Sequence, residues 1–363
     1  MQGVRERLID ISQQYRAARG SGFTLRELIF FVTYACPFRC RTCFYARTLD
    51  EHAAGQTEEL NLEEIRKISA SLGTVHTLYI SGGEPFLRDD LPEICEIFYR
   101  QNNIGTLSLP TSGFHTEKIY DDVQQIVRAC PGARLIVGVA LDGLRETHDA
   151  LKGVDGSFDR AVETTRRLAL LKERHPALFI NVITTVSNVN INEVVSLAEF
   201  IRGNLPVDGH GPSPMRGVPY DDSLLAPSPE EWARVAHNLI GYHRYWYAKK
   251  TSNRLKVFLA TNRTRYLYRL YTDILAGKKT PFRCQAGRAI GVLEPNGDVR
   301  LCESTVPVGN IRNADYDFKT IWRSGSANQM RERIHSCACT HACFLHPSID
   351  LNPASLIHSY LYF

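Results

Sequence analysis

The chain has 363 residues, of which 44% are hydrophobic and 23% are charged. These fractions exclude a disordered or collagen-like chain, and the length predicts two domains or one large domain with an appendage. The formal net charge of +4 is too small to predict a nucleic-acid partner or an anionic membrane partner by itself.

The cysteine content is the most informative part of the composition, because the chain has 10 cysteines. The first residues carry charges where a signal peptide needs an apolar run, and no stretch of uninterrupted apolar residues is long enough to span a membrane. We therefore expect a cytoplasmic protein without a membrane span and without a nucleic-acid partner. In that compartment, clustered cysteines indicate metal binding or thiol chemistry rather than disulfides.

The first predicted elements surround a loop with three cysteines. Residues 1–25 are predicted to form an N-terminal helix, and Glu27–Thr33 is predicted to be a strand that leads into Cys36, Cys40 and Cys43. Three thiolates on one loop can hold three irons of a 4Fe–4S cluster and leave the fourth iron open. The alternatives are a zinc loop, or buried cysteines that only happen to lie close together.

A second motif ends the next predicted strand. Residues 77–81 are strand-like and run into Gly82, Gly83, Glu84 and Pro85. Glycines at such a position let the backbone approach a ligand closely, and the carboxylate could bind an amino group. By itself, a pair of glycines before an acidic residue is also a common turn.

Together, the three-cysteine loop and the Gly-Gly-Glu-Pro turn resemble the radical S-adenosylmethionine enzymes. The resemblance implies that the open iron binds the amino and carboxylate groups of S-adenosylmethionine and that residues 82–85 contact its amine. It also implies reductive cleavage to a 5′-deoxyadenosyl radical, with electrons from a donor such as flavodoxin or ferredoxin. Thr42 stands where the family often has an aromatic residue, so Phe44 and Tyr45 are candidate substitutes for an adenine contact.

Strand-like and helix-like segments alternate through residues 26–225, which predicts βα units around a parallel sheet. The predicted strands are Glu27–Thr33, 77–81, 106–110, 134–141, Leu178–Val186 and a weaker sixth strand near 207–210. The predicted helices are Leu62–Leu72, Leu91–Asn102, 117–129, 157–175 and 191–202. Six units predict an α/β fold, a partial (β/α)6 TIM-like barrel that is open on one side and carries its chemistry at the carboxyl ends of the strands.

The predicted strand ends carry further candidate site residues. The family resemblance places four of them near the nucleoside or the substrate: Thr111, Asp142, Thr184 and Asn188. For Asp142 a turn with Gly143 is the alternative, and Ser157 is predicted to be a helix N-cap. The candidates for proton transfer or for binding an anionic group are His148, His210, Arg216, Tyr220, Asp221 and Asp222.

The last third of the chain is predicted to be a different kind of module. Residues 226–280 are predicted to be an aromatic-rich helical connector, in which Ser228 and Glu231 occupy the positions of a capping box. Residues 281–345 form the predicted auxiliary domain, and residues 346–363 form a C-terminal tail.

A β-hairpin is expected to organise the C-terminal cysteines. The Asn296-Gly297 pair is a strong hairpin signal, and the hairpin would bring Cys284 and Cys302 together at its open end. Three later cysteines, with His341 as a less favoured alternative, supply the remaining candidate ligands: Cys337, Cys339 and Cys343. This cysteine-rich β-hairpin resembles the SPASM domain or its shorter form, called twitch, which implies one auxiliary 4Fe–4S cluster. A zinc ribbon is the alternative, because zinc also accepts four thiolates.

The substrate is the least defined part of the sequence-based interpretation. We expect an oxidoreductase that abstracts a hydrogen atom from a small biosynthetic metabolite, because little chain remains outside the barrel and the module for a peptide-binding domain. The auxiliary cluster would assist oxidation or bond formation. A peptide-modifying radical enzyme is the alternative. A non-catalytic iron–sulfur or zinc protein is the alternative from another class, and it predicts no cleavage of S-adenosylmethionine.

Overall fold

The computed structural model describes residues 25–55, 57–334 and 339–362, and these residues form an α/β protein on one nine-stranded sheet. The strands are β1 (Glu27–Thr33), β2 (Thr77–Gly82), β3 (Thr106–Thr111), β4 (Arg134–Ala140), β5 (Leu178–Val186), β6 (Gly209–Pro214), β7 (Ile290–Leu293), β8 (Asp298–Arg300) and β9 (Gly309–Asn310). The predicted helix at residues 1–25 and the candidate ligand Cys337 lie outside the described residues.

The strand order consists of a parallel barrel sheet and a C-terminal extension. From one edge to the other, the order is β6-β5-β4-β3-β2-β1-β7-β8-β9. Strands β1 to β6 pair in parallel, which confirms the predicted α/β fold. Strand β7 pairs in parallel with β1 and antiparallel with β8, which in turn pairs antiparallel with β9. The C-terminal hairpin therefore continues the barrel sheet directly.

Helices cover the connections between the barrel strands and build most of the C-terminal third. The barrel helices are α1 (Ala46–Gly55), α2 (Leu62–Leu72), α3 (Leu91–Asn102), α4 (Thr116–Ala129), α5 (Arg145–Lys152), α6 (Ser157–Lys172) and α7 (Val194–Asn204). The later helices are α8 (Pro229–Lys250), α9 (Arg254–Leu275), α10 (Phe318–Trp322), α11 (Gly325–Ile334), α12 (Ala342–Asp350) and α13 (Pro353–Leu361). Sequence periodicity missed α1 and α5, because they have 10 and 8 residues and are shorter than the window in which a helical period is legible.

Two sequence-based expectations differ from the structure. The sixth strand begins at Gly209 and not at residue 207, because its glycines and prolines have low strand propensity and its pairing with β5 decides its position. The prediction that Ser157 is an N-cap is wrong, because Gly156 is the N-cap and Ser157 is the first helical residue. The Ser157 hydroxyl instead donates to Asp149, whose carboxylate also accepts from the amide of Phe158 at 2.7 Å.

The core lies on both faces of the barrel sheet. All but the first residue of β1 are buried, as expected for a parallel strand covered on both sides. Phe30 of β1 meets Phe98 of α3 edge to face, with ring centroids 6.0 Å apart. Cys95, one turn earlier on α3, is fully buried in the same core. This cysteine therefore serves packing, as the apolar pattern around it predicts.

The helical connector consists mainly of α8 and α9, which have 22 residues each. The predicted capping box is present at the start of α8, where the side chains of Ser228 and Glu231 cap each other's backbone amides. Trp232 packs edge to face on Tyr268 and Tyr271 of α9 at 5.4 and 5.6 Å, so the aromatic residues form a second core. Among the described residues, no helix is long and apolar enough to cross a membrane.

Polar contacts fix the C-terminal module against the barrel. Arg312, in the loop after β9, forms a bidentate ion pair with Glu64 of α2, with N–O distances of 2.7 and 3.1 Å. The Tyr45 hydroxyl, next to α1, donates to the buried carboxylate of Glu294 at the end of β7. The three-cysteine loop and the C-terminal cysteines are therefore held on one rigid framework.

Candidate functional site

The three-cysteine loop follows β1 and lies in a partly buried position. The Cys43 amide donates to the Cys40 carbonyl at 2.9 Å, which folds the loop back on itself. Burial raises the pKa of the Cys36 thiol to about 12, and burial also raises the pKa values of Cys40 and Cys43. A bound metal deprotonates its cysteine ligands, so this trio fits a metal centre better than it fits free nucleophilic thiols.

The Gly82-Gly83 turn packs directly on the cysteine loop. The Gly83 amide donates to the Thr33 carbonyl at 2.8 Å. Gly82 has a φ of +119°, which a residue with a side chain rarely adopts. A Cβ on Gly83 would lie 2.1 Å from the Ala35 carbonyl oxygen and 3.1 Å from the Cβ of Cys36. Only glycine allows this close approach between the end of β2 and the cysteine loop.

A Gly83→Ala variant is expected to lose at least half of its bound iron after reconstitution and to bind S-adenosylmethionine at least tenfold more weakly. The added methyl group must push the turn away from the Ala35 carbonyl, which displaces Cys36. An iron assay and calorimetric titration measure the two effects. The matched control is Gly203→Ala on α7, where an added Cβ meets nothing within 4 Å. Wild-type iron content and affinity in Gly83→Ala would contradict this role of the turn.

Glu84 is a buried carboxylate at the carboxyl ends of β2 and β3. Its Oε1 accepts from the Thr111 hydroxyl at 2.9 Å, and its Oε2 accepts from the Ser112 amide at 2.8 Å and from the Ser112 hydroxyl at 2.6 Å. These donors fix the orientation of the carboxylate before any ligand arrives. The structure therefore brings together Glu84 and Thr111, two of the residues that the sequence analysis singled out.

Asp142 forms a buried ion pair that sequence reasoning missed. Its carboxylate lies 2.8 Å from Nζ of Lys152, at the end of α5, and it accepts from the Thr185 amide at 2.7 Å. Lys152 is also an electrostatic neighbour of Cys40, where its charge opposes the pKa rise that burial causes. His148 accepts from the Asp142 amide at 3.0 Å. The ion pair places a fixed cation beside the cysteine loop. The sequence did not predict this role for Lys152, because no local motif distinguishes it from other lysines.

Three of the predicted strand-end residues have contacts away from the cysteine loop. The Thr184 hydroxyl bonds the Nε2 of His210 at 2.8 Å, and the His210 ring lies edge to face against Trp246 of α8, 6.3 Å away. Asn188 accepts from the amide of Leu225 at 3.0 Å. These contacts of Thr184, Asn188 and His210 are with one another, with Leu225 and with Trp246. Their roles in binding or catalysis therefore stay predictions.

The segment after β6 closes over the cysteine loop. Arg41, between two of the cysteines, donates to Asp221 at 2.7 Å, and the Asp221 amide donates back to the Arg41 carbonyl at 3.0 Å. Arg47 pairs with Asp222 at 2.5 Å and donates to the Tyr220 carbonyl at 3.4 Å. Asp221 and Tyr220 therefore lie beside the site, where the described contacts use the Asp221 carboxylate and the Tyr220 backbone carbonyl to anchor the loop.

Arg216 lies between the cysteine loop and the C-terminal module. The guanidinium of Arg216 lies over the ring of Phe44, 4.6 Å from its centroid. The same guanidinium lies 3.3 Å from the carboxylate of Glu303, so it already has an anionic partner within the chain. Thr42 is buried, with 7% of its surface exposed. Phe44 is thus held in place beside the loop by a cation on its face.

The C-terminal cysteines surround a second site. Cys284, Cys302 and Cys339 line one cavity of about 170 Å³, as expected from the hairpin that joins the first two. Burial raises the pKa values of Cys302 and Cys343 to about 12, and the negative charge of Glu303 contributes to both rises. The Nδ1 of His341 lies 3.3 Å from the Glu303 carboxylate.

The cavity fits a thiolate-ligated cluster in both size and chemistry. Besides the three cysteines it is lined by apolar side chains, among them Phe282, Ile334 and Phe344, and by hydroxyl side chains and Arg333. Soft thiolates in a partly closed apolar environment are typical ligands of iron–sulfur clusters. Within the described part of the chain, no three ligand-type side chains converge as closely as a single metal ion needs.

Two family models match the chain at these two sites. The model described as the radical SAM superfamily matches residues 30–201, which contain the three-cysteine loop and the Gly-Gly-Glu-Pro turn. The model described as an iron–sulfur cluster-binding domain, SPASM, matches residues 284–344, which contain the C-terminal cysteines. Both matches cover the residues that carried the sequence-based resemblance.

Similar proteins include a maturase, a synthase and two proteins of known structure. The mycofactocin maturase MftC of Mycobacterium tuberculosis is 25% identical over 86% of this chain and 74% of its own length. The Fe-coproporphyrin III synthase of Methanosarcina barkeri is 25% identical over 48% of this chain and 40% of its own length. A solved structure of anSMEcpe with bound AdoMet and Cp18Cys peptide has a TM-score of 0.58 at 18% identity, over 86% of this chain and 84% of that one. Streptococcus suis SuiB bound to precursor peptide SuiA has a TM-score of 0.59 at 15% identity, over 91% and 71%.

Proposed function

Because this chain is a radical S-adenosylmethionine enzyme with a C-terminal SPASM iron–sulfur domain, we propose that it modifies a peptide by abstracting a hydrogen atom. The observation that carries the proposal is the similarity to a mycofactocin maturase over 86% of this chain. Two proteins with the same fold were solved with bound peptides, which also supports a peptide substrate. These relatives favour a peptide over the small metabolite expected from the sequence.

Cys36, Cys40 and Cys43 hold the N-terminal 4Fe–4S cluster in this proposal. They share one loop between β1 and α1, and this loop is anchored by the ion pair of Arg41 with Asp221. When bound, the cluster and S-adenosylmethionine supply a 5′-deoxyadenosyl radical that abstracts the hydrogen atom. The chain's own contribution is to orient the ligands and to keep water away from them.

The Gly-Gly-Glu-Pro turn and its neighbours bind S-adenosylmethionine in this proposal. Gly82 and Gly83 keep the edge of the site free of side chains, so the methionine part can lie against the backbone. Glu84, oriented by Thr111 and Ser112, attracts the methionine amino group. Residues 82–85 therefore act as a preformed edge of the site, as the sequence resemblance implied.

An ion pair and an aromatic side chain complete the site beside the cysteine loop. Lys152, held by its partner Asp142, places a positive charge next to Cys40 that opposes the pKa rise caused by burial, while the Asp142 carboxylate acts in the other direction. Phe44 and the backbone at Thr42 offer an apolar surface for the adenine. The roles of Thr184 and Asn188 remain proposals that rest on the family resemblance. The roles of His210 and Tyr220 in proton transfer remain proposals that rest on their residue types and their places at the end of the barrel.

The auxiliary 4Fe–4S cluster is proposed to lie in the cavity lined by Cys284, Cys302 and Cys339. Cys343 lies on α12 beside the same group of side chains and is a candidate for the fourth ligand, with Cys337 as its competitor. A second cluster in this position can accept an electron from a substrate radical and so assist a bond-forming oxidation. Electrons for the reaction would come from a donor such as flavodoxin or ferredoxin.

The decisive experiment is an anaerobic assay of the reconstituted protein with dithionite and S-adenosylmethionine. We expect 5′-deoxyadenosine by chromatography, and its amount should rise when the correct peptide is added. The peptides to test are synthetic copies of those encoded by short reading frames next to the gene, with mass spectrometry to detect the modified product. Absence of 5′-deoxyadenosine from protein with a full iron content would contradict the enzymatic function. Cleavage with no change in any encoded peptide would contradict the peptide substrate.

A further inference from the structure

Arg216 lies at the junction between the two groups of cysteines. It follows the end of β6, and its guanidinium stacks on Phe44, the residue directly after Cys43. On its other side it lies 3.3 Å from Glu303, the residue directly after Cys302. One side chain therefore contacts the immediate neighbours of a ligand from each proposed cluster.

The contact chain continues to the last ligand segment. Glu303 is 5% exposed, and its carboxylate lies 3.3 Å from Nδ1 of His341. His341 stands between Cys339 and Cys343 in the chain. A continuous series of side-chain contacts therefore joins the barrel loop to the auxiliary site. It runs from Phe44 through Arg216 and Glu303 to His341.

Arg216 places one positive charge beside both groups of cysteines. Its guanidinium lies 4.6 Å from the ring centroid of Phe44, which follows Cys43, and 3.3 Å from the carboxylate of Glu303, which follows Cys302. The guanidinium remains charged at all relevant pH values, so this positive charge does not depend on titration. Reduction adds an electron to a cluster, and a nearby positive charge in a partly buried site stabilises the reduced form.

We propose that Arg216 is a positioning residue that links the two cluster sites and raises the reduction potential of both clusters with one fixed charge. This inference rests on the proposed function, because it requires that both clusters are present. Glu303 orients the guanidinium and partly offsets its charge on the auxiliary side. Phe44 orients it on the barrel side. The same charge would therefore make electron transfer into each cluster easier.

The test is an electron paramagnetic resonance redox titration of the reconstituted protein with two Arg216 variants. In Arg216→Gln we expect the midpoint potentials of both clusters to become more negative. A tenfold shift in the reduction equilibrium corresponds to about 59 mV for one electron. In Arg216→Lys, which keeps the charge, we expect both potentials to stay close to wild type. If Arg216 had only a structural role, lysine would not restore the wild-type potentials, because lysine lacks the planar guanidinium that stacks on Phe44 and can donate two parallel hydrogen bonds.

The Glu303→Gln variant supplies a prediction of the opposite sign. Removing the carboxylate leaves the charge of Arg216 less compensated, so the auxiliary potential should become more positive. The carboxylate of Glu303 also acts on the auxiliary site directly, so an auxiliary potential that stays unchanged in Glu303→Gln would contradict the inference even if Arg216→Gln loses its clusters. The matched control is Arg312→Gln, which breaks an ion pair between the same two modules without any contact to a cysteine-bearing loop.

Three outcomes would overturn the inference. They are unchanged potentials in Arg216→Gln, equal shifts in Arg216→Gln and Arg216→Lys, and equal shifts in Arg216→Gln and the Arg312→Gln control. If the wild-type protein shows no cluster signals at all, the proposed function itself fails. A wild type with both signals and variants without the expected shifts would instead refute only the role of Arg216.

Discussion

A Cys40→Ala variant is expected to form no detectable 5′-deoxyadenosine under conditions in which the wild-type protein forms it readily. Cys40 is the central cysteine of a loop whose three thiols must act together, because a cluster held by two thiolates loses its fixed position and is released. The iron content should fall by about four atoms per chain, which is one cluster. An iron assay and chromatography of the anaerobic reaction measure both effects.

Two other cysteines provide matched comparisons. Cys95→Ala changes a fully buried core residue on α3, so it should keep wild-type iron and cleavage with only a small loss of stability. Cys302→Ala removes a proposed auxiliary ligand, so it should retain cleavage but lose modified product. Wild-type cleavage in Cys40→Ala would show that the three-cysteine loop is not the site. Equal loss in Cys95→Ala would attribute the effect to folding.

The parts of the site that could be predicted from the sequence are those in which the chemistry is local. The spacing of Cys36, Cys40 and Cys43 puts all three on one loop, and Gly82, Gly83 and Glu84 follow one strand without interruption. Residues this close in the sequence stay close in space whatever the fold of the rest of the chain. For the same reason the β5 strand, with its regular alternation of buried residues, was predicted with its observed ends.

The parts that the sequence did not reveal depend on pairings between distant segments. The pairing of β7 with β1 joins residues more than half the chain apart, and no local pattern encodes it. The partner of Arg216 is Glu303, and its position depends on how the C-terminal hairpin continues the barrel sheet. The sequence identified Arg216 as an anion-binding candidate, which agrees with its chemistry. It could not reveal that the anion is supplied by the chain itself.

Among the cations around the cysteine loop, three are held by carboxylates that follow strands β4, β6 and β8. The pairs are Arg41 with Asp221, Lys152 with Asp142, and Arg216 with Glu303, at 2.7, 2.8 and 3.3 Å. The carboxylates come from different segments of the barrel and the module, so the positive charges near the thiols are fixed by the tertiary fold. Positive charge near a buried cysteine favours its thiolate form, which is the form that binds iron. Lys152 acts in this direction on Cys40 and Cys43, and Arg216 acts so on Cys43, although burial is the larger influence on both pKa values.

The pair of Lys152 with Asp142 has the largest expected effect on stability. Burial alone would raise the pKa of Asp142, but the charge of Lys152, the charge of His148 and the hydrogen bonds from Lys152 and the Thr185 amide together hold that pKa below the usual range. Burial alone would lower the pKa of Lys152, but the charge and hydrogen bond of Asp142, together with the nearby thiols of Cys40 and Cys43, hold that pKa above the usual range. Both groups are therefore charged at neutral pH, and each depends on the other.

A Lys152→Met variant is expected to lose about 3–5 kcal/mol of unfolding free energy at pH 7, because Asp142 is left buried without its cation. This loss corresponds to a fall of about 5 °C in the unfolding temperature for a chain of this size. Anaerobic thermal unfolding followed by circular dichroism measures it. The Asp142→Asn and Lys152→Met double variant should lose less than the sum of the two single variants, because it leaves no unpaired charge.

The pH dependence of the Lys152→Met deficit gives the sharpest check of this pair. In wild type the lowered pKa of Asp142 stabilises the fold above the unfolded pKa, near 3.9, and this contribution disappears as the pH falls through the folded pKa. In Lys152→Met the unpaired carboxyl group binds a proton more readily in the folded state, so the deficit should shrink as the pH is lowered from 7 to 5. The control is Lys67→Met, which removes an exposed cation paired with Glu63 and should show no such trend. A deficit that is small at pH 7, or that is independent of pH, would mean that Asp142 does not depend on Lys152 for its charge.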